Sequence, residues 1–395
     1  MGNRKLFILL AIASAIFLFA NCFKKNKMSD PRGEEYAGSE KCAGCHPGIT
    51  SSYRHTAHFL STAIAGSNVI MGSFSRDSNK LIVNDSTTIV MEKKDSGFYQ
   101  VLYVKDQPVL SRRFDLVMGS VKGQTYLSWF EQDMYQLPVS YITALNRWSS
   151  SPGYALEDLN FTRTITKDCF ECHSSYVKRD KHGMVDYRRH ANTWVFNIDC
   201  ERCHGPAATH VLFHEAHPEE RKSKFIVPFA LLGRQQRIDL CAVCHSGNNN
   251  ILLKSRFGYK MGDSLKSYMI PIRSGDELDV HGNQTQLLSQ SKCFTMSPIE
   301  CTTCHDPHKT ERNNIQDFNA RCQTCHTEKE HFCSFATESN KSFIVSNCTR
   351  CHMPEQPSLA IKVQAEPNST RAIPTMVINH RIAIYPEVTN KMLKN

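Results

Sequence analysis

Seven times in 395 residues the chain repeats the pattern Cys-x-x-Cys-His. The repeats are Cys42, Cys45 and His46; Cys169, Cys172 and His173; Cys200, Cys203 and His204; Cys241, Cys244 and His245; Cys301, Cys304 and His305; Cys322, Cys325 and His326; and Cys348, Cys351 and His352. With 17 Cys and 18 His in the chain, chance would supply about 0.03 such matches. Two thiols three positions apart reach the two vinyl groups on neighbouring pyrroles of one haem as thioethers, and the following His swings beneath the ring to bind iron. Zinc knuckles also use paired cysteines, but seven would leave an odd knuckle and would not need a His after every second Cys. The pattern therefore predicts seven covalently bound haem c groups, with these seven His as proximal iron ligands. Covalent links hold a haem even where polypeptide is too sparse to enclose it, so iron ligation and haem packing are expected to replace part of an apolar core.

Eleven histidines lie outside the motifs, and full bis-His ligation would take seven of them. His58, His210, His281 and His380 stand beside apolar or turn-forming residues and are the distal candidates together with His308 and His331. His308, three residues beyond His305, is so close to its own motif that it is expected to serve a neighbouring haem. His55, His182, His190, His214 and His217 lie among Arg, Lys and Glu and read mainly as surface residues. Six candidates for seven irons leave one iron unassigned. It takes one of the weaker histidines, a Met or a Lys, or it stays open, and that separates a wire from an enzyme. Cys293 and Cys333 read as buried free thiols, with a mutual disulfide or a ligand role as alternatives.

Residues 1–21 have the form of an export signal: a basic start at Arg4 and Lys5, then an apolar run from Leu6 to Ala20 that is shorter than a spanning helix needs. Cys22 stands where a lipoprotein signal places the lipidated cysteine; cleavage without lipid and an uncleaved anchor are the alternatives. Residues 22–40 are polar and read as a tether. The expected location is therefore the periplasm, or the outer membrane as an attached lipoprotein. The formal charge of +9 falls to +7 without Arg4 and Lys5. Two propionates on each bis-His haem bring the loaded protein to around zero or below. Basicity thus gives no support to nucleic-acid binding; the expected partners are redox proteins or membrane quinol-linked electron donors, with membrane association through Cys22.

The motifs are unevenly spread. Residues 41–66 form a first haem segment and 151–395 a six-haem region, separated by 67–150. In that gap Lys80–Asp85, Thr87–Lys94 and Phe98–Lys105 are β-branched and aromatic runs divided by Asp-Ser and Asp95-Ser96-Gly97 turns. They predict a small antiparallel β insertion. The remainder predicts short helices near the motifs, the best single helical stretch running from Pro228 to Leu240. Trp129, Trp148 and Trp194 read as packing residues or haem contacts. The fold class expected is α plus irregular, a haem-packed multihaem cytochrome fold with that β insertion.

Several flanking segments carry a resemblance: Tyr36-Ala-Gly-Ser-Glu-Lys-Cys42 with His58; Asp199-Cys200 to His204-Gly-Pro with His210; Asp279-Val-His281-Gly with Ser291-Lys-Cys293; Cys304-His305-Asp-Pro-His308; and Cys351-His352-Met-Pro with Asn379-His380-Arg. In these the chain resembles the exported multihaem cytochromes of the tetrahaem-cytochrome and hydroxylamine-oxidoreductase superfamily, and more narrowly the cytochromes that often carry tetratricopeptide repeats. The resemblance implies closely spaced haems and His58, His281, His308 and His380 as distal ligands. The chain departs from that pattern in having no tetratricopeptide segment after Cys351 and no lysine-ligated motif of the kind nitrite reductases use. The leading expectation is electron transfer in the bacterial cell envelope. The alternative is an oxidoreductase acting on a small inorganic nitrogen or sulfur compound at one open iron, with His182, Arg188 and His190 as conceivable donors; no catalytic residue is assigned.

Overall fold

Alternating apolar residues and two-residue turns shape the first part of the chain. In the computed structural model, which describes residues 30–131, 133–178, 194–247, 250–272, 278–327 and 332–394, β2 (Lys80–Asn84), β3 (Thr87–Lys94), β4 (Gly97–Val104) and β5 (Gln107–Arg113) form a four-stranded antiparallel meander. Asp95 and Ser96 connect β3 to β4, with Lys94 paired to Gly97. Lys105 and Asp106 connect β4 to β5 and both have positive φ, as the primed turns that match strand twist require. A second, six-stranded sheet contains β1 (Thr62–Ile64), β6 (Leu116–Met118), β7 (Gly123–Phe130), β8 (Asp133–Gln136), β9 (Val139–Ile142) and β10 (Arg147–Ser150). Strand structure thus begins before residue 67.

The two sheets enclose an aromatic core. Phe114 stacks on Tyr126 at 4.3 Å between ring centres, and Trp148 packs on both while its Nε1 donates to the Ser73 carbonyl at 2.8 Å. Gly72 completes this packing: a Cβ there would lie 2.1 Å from Trp148 Cζ2. Gly72→Ala is therefore expected to cost about 1–3 kcal/mol of stability through overpacking, read as a lower denaturant midpoint with unchanged haem content; an unshifted midpoint would contradict it.

A second core joins the sheet to a motif. Leu116, Leu127 and Met134 pack with Ile165, Trp194 and the fully buried Phe170 of α3. The tryptophans are packing residues: Trp129 and Trp194 meet edge to face at 5.8 Å.

The helices are short, and seven of them carry the motifs. In chain order they are α1 (Ser39–Cys45), α2 (Pro47–Tyr53), α3 (Lys167–His173), α4 (Cys200–His204), α5 (Ala208–Ala216), α6 (Arg234–His245), α7 (Gln284–Ser289), α8 (Lys292–Met296), α9 (Cys301–Cys304), α10 (Ile315–Gln323), α11 (Lys341–Val345), α12 (Cys348–His352) and α13 (Pro386–Lys394). The helix expected from Pro228 starts later: 229–231 is a single 3-10 turn, and α6 begins after Gly233, whose extended backbone breaks the two apart. Three two-stranded ribbons complete the fold: β11 (Tyr176–Val177) with β12 (Trp194–Val195), β13 (Asn250–Leu252) with β14 (Met269–Pro271), and β15 (Glu355–Val363) with β16 (Ile373–Ile378). Helices plus several small antiparallel sheets are what the described residues contain. No helix among the described residues is long and apolar enough to cross a membrane.

Candidate haem-binding sites

Every motif lies on or at the end of a short helix, and three of these helices have starts fixed by a side-chain cap. Asp199 caps α4, its carboxylate accepting from the Arg202 amide at 2.8 Å. Glu300 caps α9 through the Thr302 amide at 2.9 Å, and Asn314 caps α10. Such caps satisfy amide groups that a helix end leaves open. The C-terminus of α3 is held by the sheet: Ser61 and Thr62 hydroxyls donate to the His173 carbonyl at 2.9 and 2.8 Å.

A buried ion network locks the start of the described chain onto the third motif. The Arg32 guanidinium donates to Asp30, to both oxygens of Asp199 at 3.0 and 2.7 Å, and to Glu201 at 3.2 Å. All four side chains are under a tenth exposed. Glu201 also accepts from the amides of Ala37, Gly38 and Ala207. Burial pulls the Arg32 pKa down, but Asp30 and Asp199 hold it above its ordinary value. Burial pushes the Glu201 carboxyl up against the pull of those amides and Arg32. Residues 30–38, inside the span read as a tether, are thus bound into the body of the protein.

The motif helices touch one another in a connected series. α1 packs on α4, with the Cys42 thiol meeting that of Cys200. Arg202 of α4 donates to the Glu171 carbonyl of α3 at 3.2 Å. α3 packs on α6, where Cys172 meets Cys244, and α6 packs on α9, where Cys241 meets Cys301. α9 contacts α10, and α10 contacts α12.

Three histidine pairs stand at a telling separation. His58 faces His245 with ring centres 6.2 Å apart and planes at 78°; His204 faces His308 at 5.9 Å and 13°; His305 faces His380 at 6.3 Å and 28°. Two imidazoles sharing one metal ion at about 2.0–2.1 Å each, with the ring centre roughly 1 Å behind the nitrogen, have centroids about 6 Å apart. Each pair joins a motif His to a His outside the motifs. His308 faces His204 and not its neighbour His305. The arrangement fits a haem held between the rings of each pair.

His58, His173 and His380 are kept neutral, the form that binds metals. Burial, reinforced by His245, His305 and His308, holds His58 down to about 4. Burial and then His281 and His245 hold His173 down to about 4, and burial with His305 does the same for His380. The Nδ1 atoms of His210, His352 and His380 lie 2.8, 2.9 and 3.2 Å from the carbonyls of Lys224, Ala383 and Ile378. Such a bond fixes the tautomer and leaves Nε2 to a metal. Asp279 accepts from the His281 amide at 3.2 Å and from the Leu359 and Ala360 amides of β15, which sets His281 against that ribbon. These bonds hold its carboxyl below the usual range despite burial.

The remaining candidates are distributed unequally. His46 and His210 both lie close enough to His204 to depress it electrostatically, after burial and His308. His214, four residues after His210 on α5 and 4.7 Å from it ring to ring, has a buried Nε2 without a hydrogen-bond partner. The charged neighbours of His214 hid this in the sequence; its i, i+4 spacing from His210 was the available signal. A cavity of about 620 Å³ lies against His326, lined also by Gln323, Thr327, Phe332, Glu338 and Lys341, a size usual for cofactor sites at roughly 300–1,000 Å³. His55 lends its carbonyl to the Thr310 hydroxyl, and His217 lies 3.5 Å from Glu219. His182, Arg188, His190, His331 and Cys22 lie outside the described residues. Cys293 and Cys333 are free thiols; the first lies near Cys304 and Cys322, the second near Cys348 and Cys351, so they do not bridge each other.

Residues 143–205, which hold the second and third motifs, match the family described as cytochrome c554 and c-prime. No curated protein matches the chain in sequence. Its fold is similar to the crystal structure of the outer cell wall cytochrome OcwA, with a TM-score of 0.56 and 14% identity over 90% of this chain and 81% of that one. Together these likenesses support a multihaem c-type cytochrome with covalently bound haem.

Proposed function

We propose that the chain is a seven-haem c-type cytochrome that transfers electrons in a bacterial cell envelope. The three imidazole pairs at 5.9–6.3 Å carry this reading. A bound haem supplies one-electron exchange at its iron. The residues of this chain do the rest: the pairs His204–His308, His245–His58 and His305–His380 would each hold a haem iron between their rings, and the neutral form of His58 and His380 suits ligation. The contacts of the motif helices give the order in which the sites neighbour one another: first, third, second, fourth, fifth, sixth, seventh. Export, lipid attachment at Cys22, a redox-protein or quinol-linked partner, and kinship with the tetrahaem-cytochrome and hydroxylamine-oxidoreductase superfamily, near the cytochromes that often carry tetratricopeptide repeats, belong to the same proposal.

The geometry carries its own spectroscopic test. Near-parallel imidazoles, as at His204–His308 and His305–His380, give ordinary rhombic low-spin resonances in the oxidised protein, whereas near-perpendicular rings, as at His58–His245, give a strongly anisotropic signal. Electron paramagnetic resonance is expected to show both kinds, with the anisotropic one lost in His58→Ala. Persistence of that signal in His58→Ala would reject the pairing.

The second reading, an oxidoreductase acting on a small inorganic nitrogen or sulfur compound at an open iron, has one site to recommend it. A cavity of about 620 Å³ lies beside His326. Carbon monoxide titration of the reduced wild-type protein separates the readings: no uptake supports conduction, and one molecule per chain, lost with substitution of His326, supports catalysis there.

A further inference from the structure

The turn between α2 and β1 carries one proposed ligand, His58, yet its other groups reach further motifs. Pro47 opens α2 and Tyr53 ends it. Beyond the helix, the Thr56 hydroxyl donates to the Tyr53 carbonyl at 2.7 Å and accepts from the Phe59 amide at 3.2 Å, which gives the turn a fixed path. Tyr53 and Thr56 are 8% and 3% exposed. A buried phenol needs a partner for its hydroxyl, and here the Ile198 carbonyl accepts from it at 2.7 Å. The Ile198 amide in turn donates to the His58 carbonyl at 3.2 Å. One turn therefore holds Ile198 at both of its backbone polar groups, directly before Asp199 caps α4, the helix of the third motif. Where the turn ends, Ser61 and Thr62 hold the His173 carbonyl of the second motif.

The same turn reaches the distal ring of the third motif. The Tyr53 ring meets that of His308 edge on, with centres 6.1 Å apart and planes at 62°. The His55 carbonyl accepts from the hydroxyl of Thr310, two residues beyond His308, at 2.6 Å. An imidazole turns about its last side-chain bond unless a neighbour holds it, and an axial His is usually held by a bond at its second ring nitrogen. His380 has such a bond, between Nδ1 and the Ile378 carbonyl. The Nδ1 of His308 lies 3.6 Å from the Asp306 carboxylate, beyond hydrogen-bond range. The plane of His308, 13° from that of His204, is therefore set by ring contacts, and Tyr53 makes one of them.

From these contacts we infer that Tyr53 is a positioning residue: its ring sets the plane of His308 at the third motif, and its hydroxyl, through Ile198, sets the path of the His58 turn at the fourth. One side chain that binds no iron thereby links the ligand geometry of two. This rests on the ligand pairs proposed above, and the test separates the two claims. It is electron paramagnetic resonance of the oxidised, haem-loaded full chain. In Tyr53→Ala, the rhombic component that His308→Ala removes and the anisotropic component that His58→Ala removes are both expected to shift in g value. The component that His380→Ala removes should stay in place. Tyr53→Phe keeps the ring against His308, so the rhombic component should return to the position it has in the parent while the anisotropic one remains shifted. Should Tyr53→Ala fail to load haem, Tyr53→Phe decides alone: a shift of the anisotropic component supports the inference, and its absence overturns it. An equal shift of all three components in Tyr53→Ala would also overturn it, because a general loosening of the fold would then be the cause. So would unchanged components in both variants, and the ligand pairs would still stand. A parent without these components would overturn the pairs themselves, and the inference with them.

Discussion

Arg32→Met is expected to lower unfolding stability by about 3–5 kcal/mol, since it leaves buried carboxylates without their counter-charge. Asp199 and Glu201 are 2% and 1% exposed, so water cannot take the place of the guanidinium. The effect should also be local. Removing Arg32 frees residues 30–38 from α4, and limited proteolysis should then cut this segment well before the rest of the chain unfolds. Because Asp199 still caps α4 through the Arg202 amide, haem attachment at Cys200 and Cys203 should persist. Adding Glu201→Gln to Arg32→Met should recover part of the loss, as one buried charge is then removed with its partner. A denaturant midpoint for Arg32→Met equal to that of the parent would show that the network is not the clamp its geometry describes.

How much of this was legible in the sequence depends on the range over which each feature is specified. The meander β2–β5 was legible because alternation and turn residues act within a few positions: Asp95-Ser96-Gly97 makes its turn where it stands. The second sheet was obscured because its strands carry polar residues inside. Ser140, Ser149 and Ser150 are fully buried, and Ser140 and Ser150 find partners elsewhere in the fold, Ser140 with Thr125 and Ser150 with Gln364, so neither period nor polarity marked them. The motifs were legible for the same local reason as the turns, since the chemistry of attachment needs a fixed spacing of Cys and His. The pairing of His58 with His245, or of His308 with His204, joins residues far apart in the chain, and nothing local encodes it. Arg32 was missed on similar grounds: its partners Asp199 and Glu201 flank a motif, but their inward direction is set by the packing of α1 on α4.

The same distance in sequence makes the pairing testable by counting. His308→Ala should convert one iron, that held by His204, from low to high spin and open it to one molecule of carbon monoxide per chain. His380→Ala should do so for the iron held by His305. Since a mutation three residues from His305 could be supposed to act on the nearest motif, the double variant decides between the assignments. If the two distal rings serve different irons, His308→Ala with His380→Ala takes up two molecules of carbon monoxide per chain more than the parent. If both serve the His305 iron, the count rises by one. Their planes and separations, 5.9 Å from His204 and 6.3 Å from His305, predict two. Each opened site should also be independent in stability, because the thioether links at Cys200, Cys203, Cys301 and Cys304 keep the haem attached when the distal ring is gone. A count of one would break the assignment of His308 to the third motif, and with it the argument that these irons are saturated across motifs by rings borrowed from elsewhere in the chain.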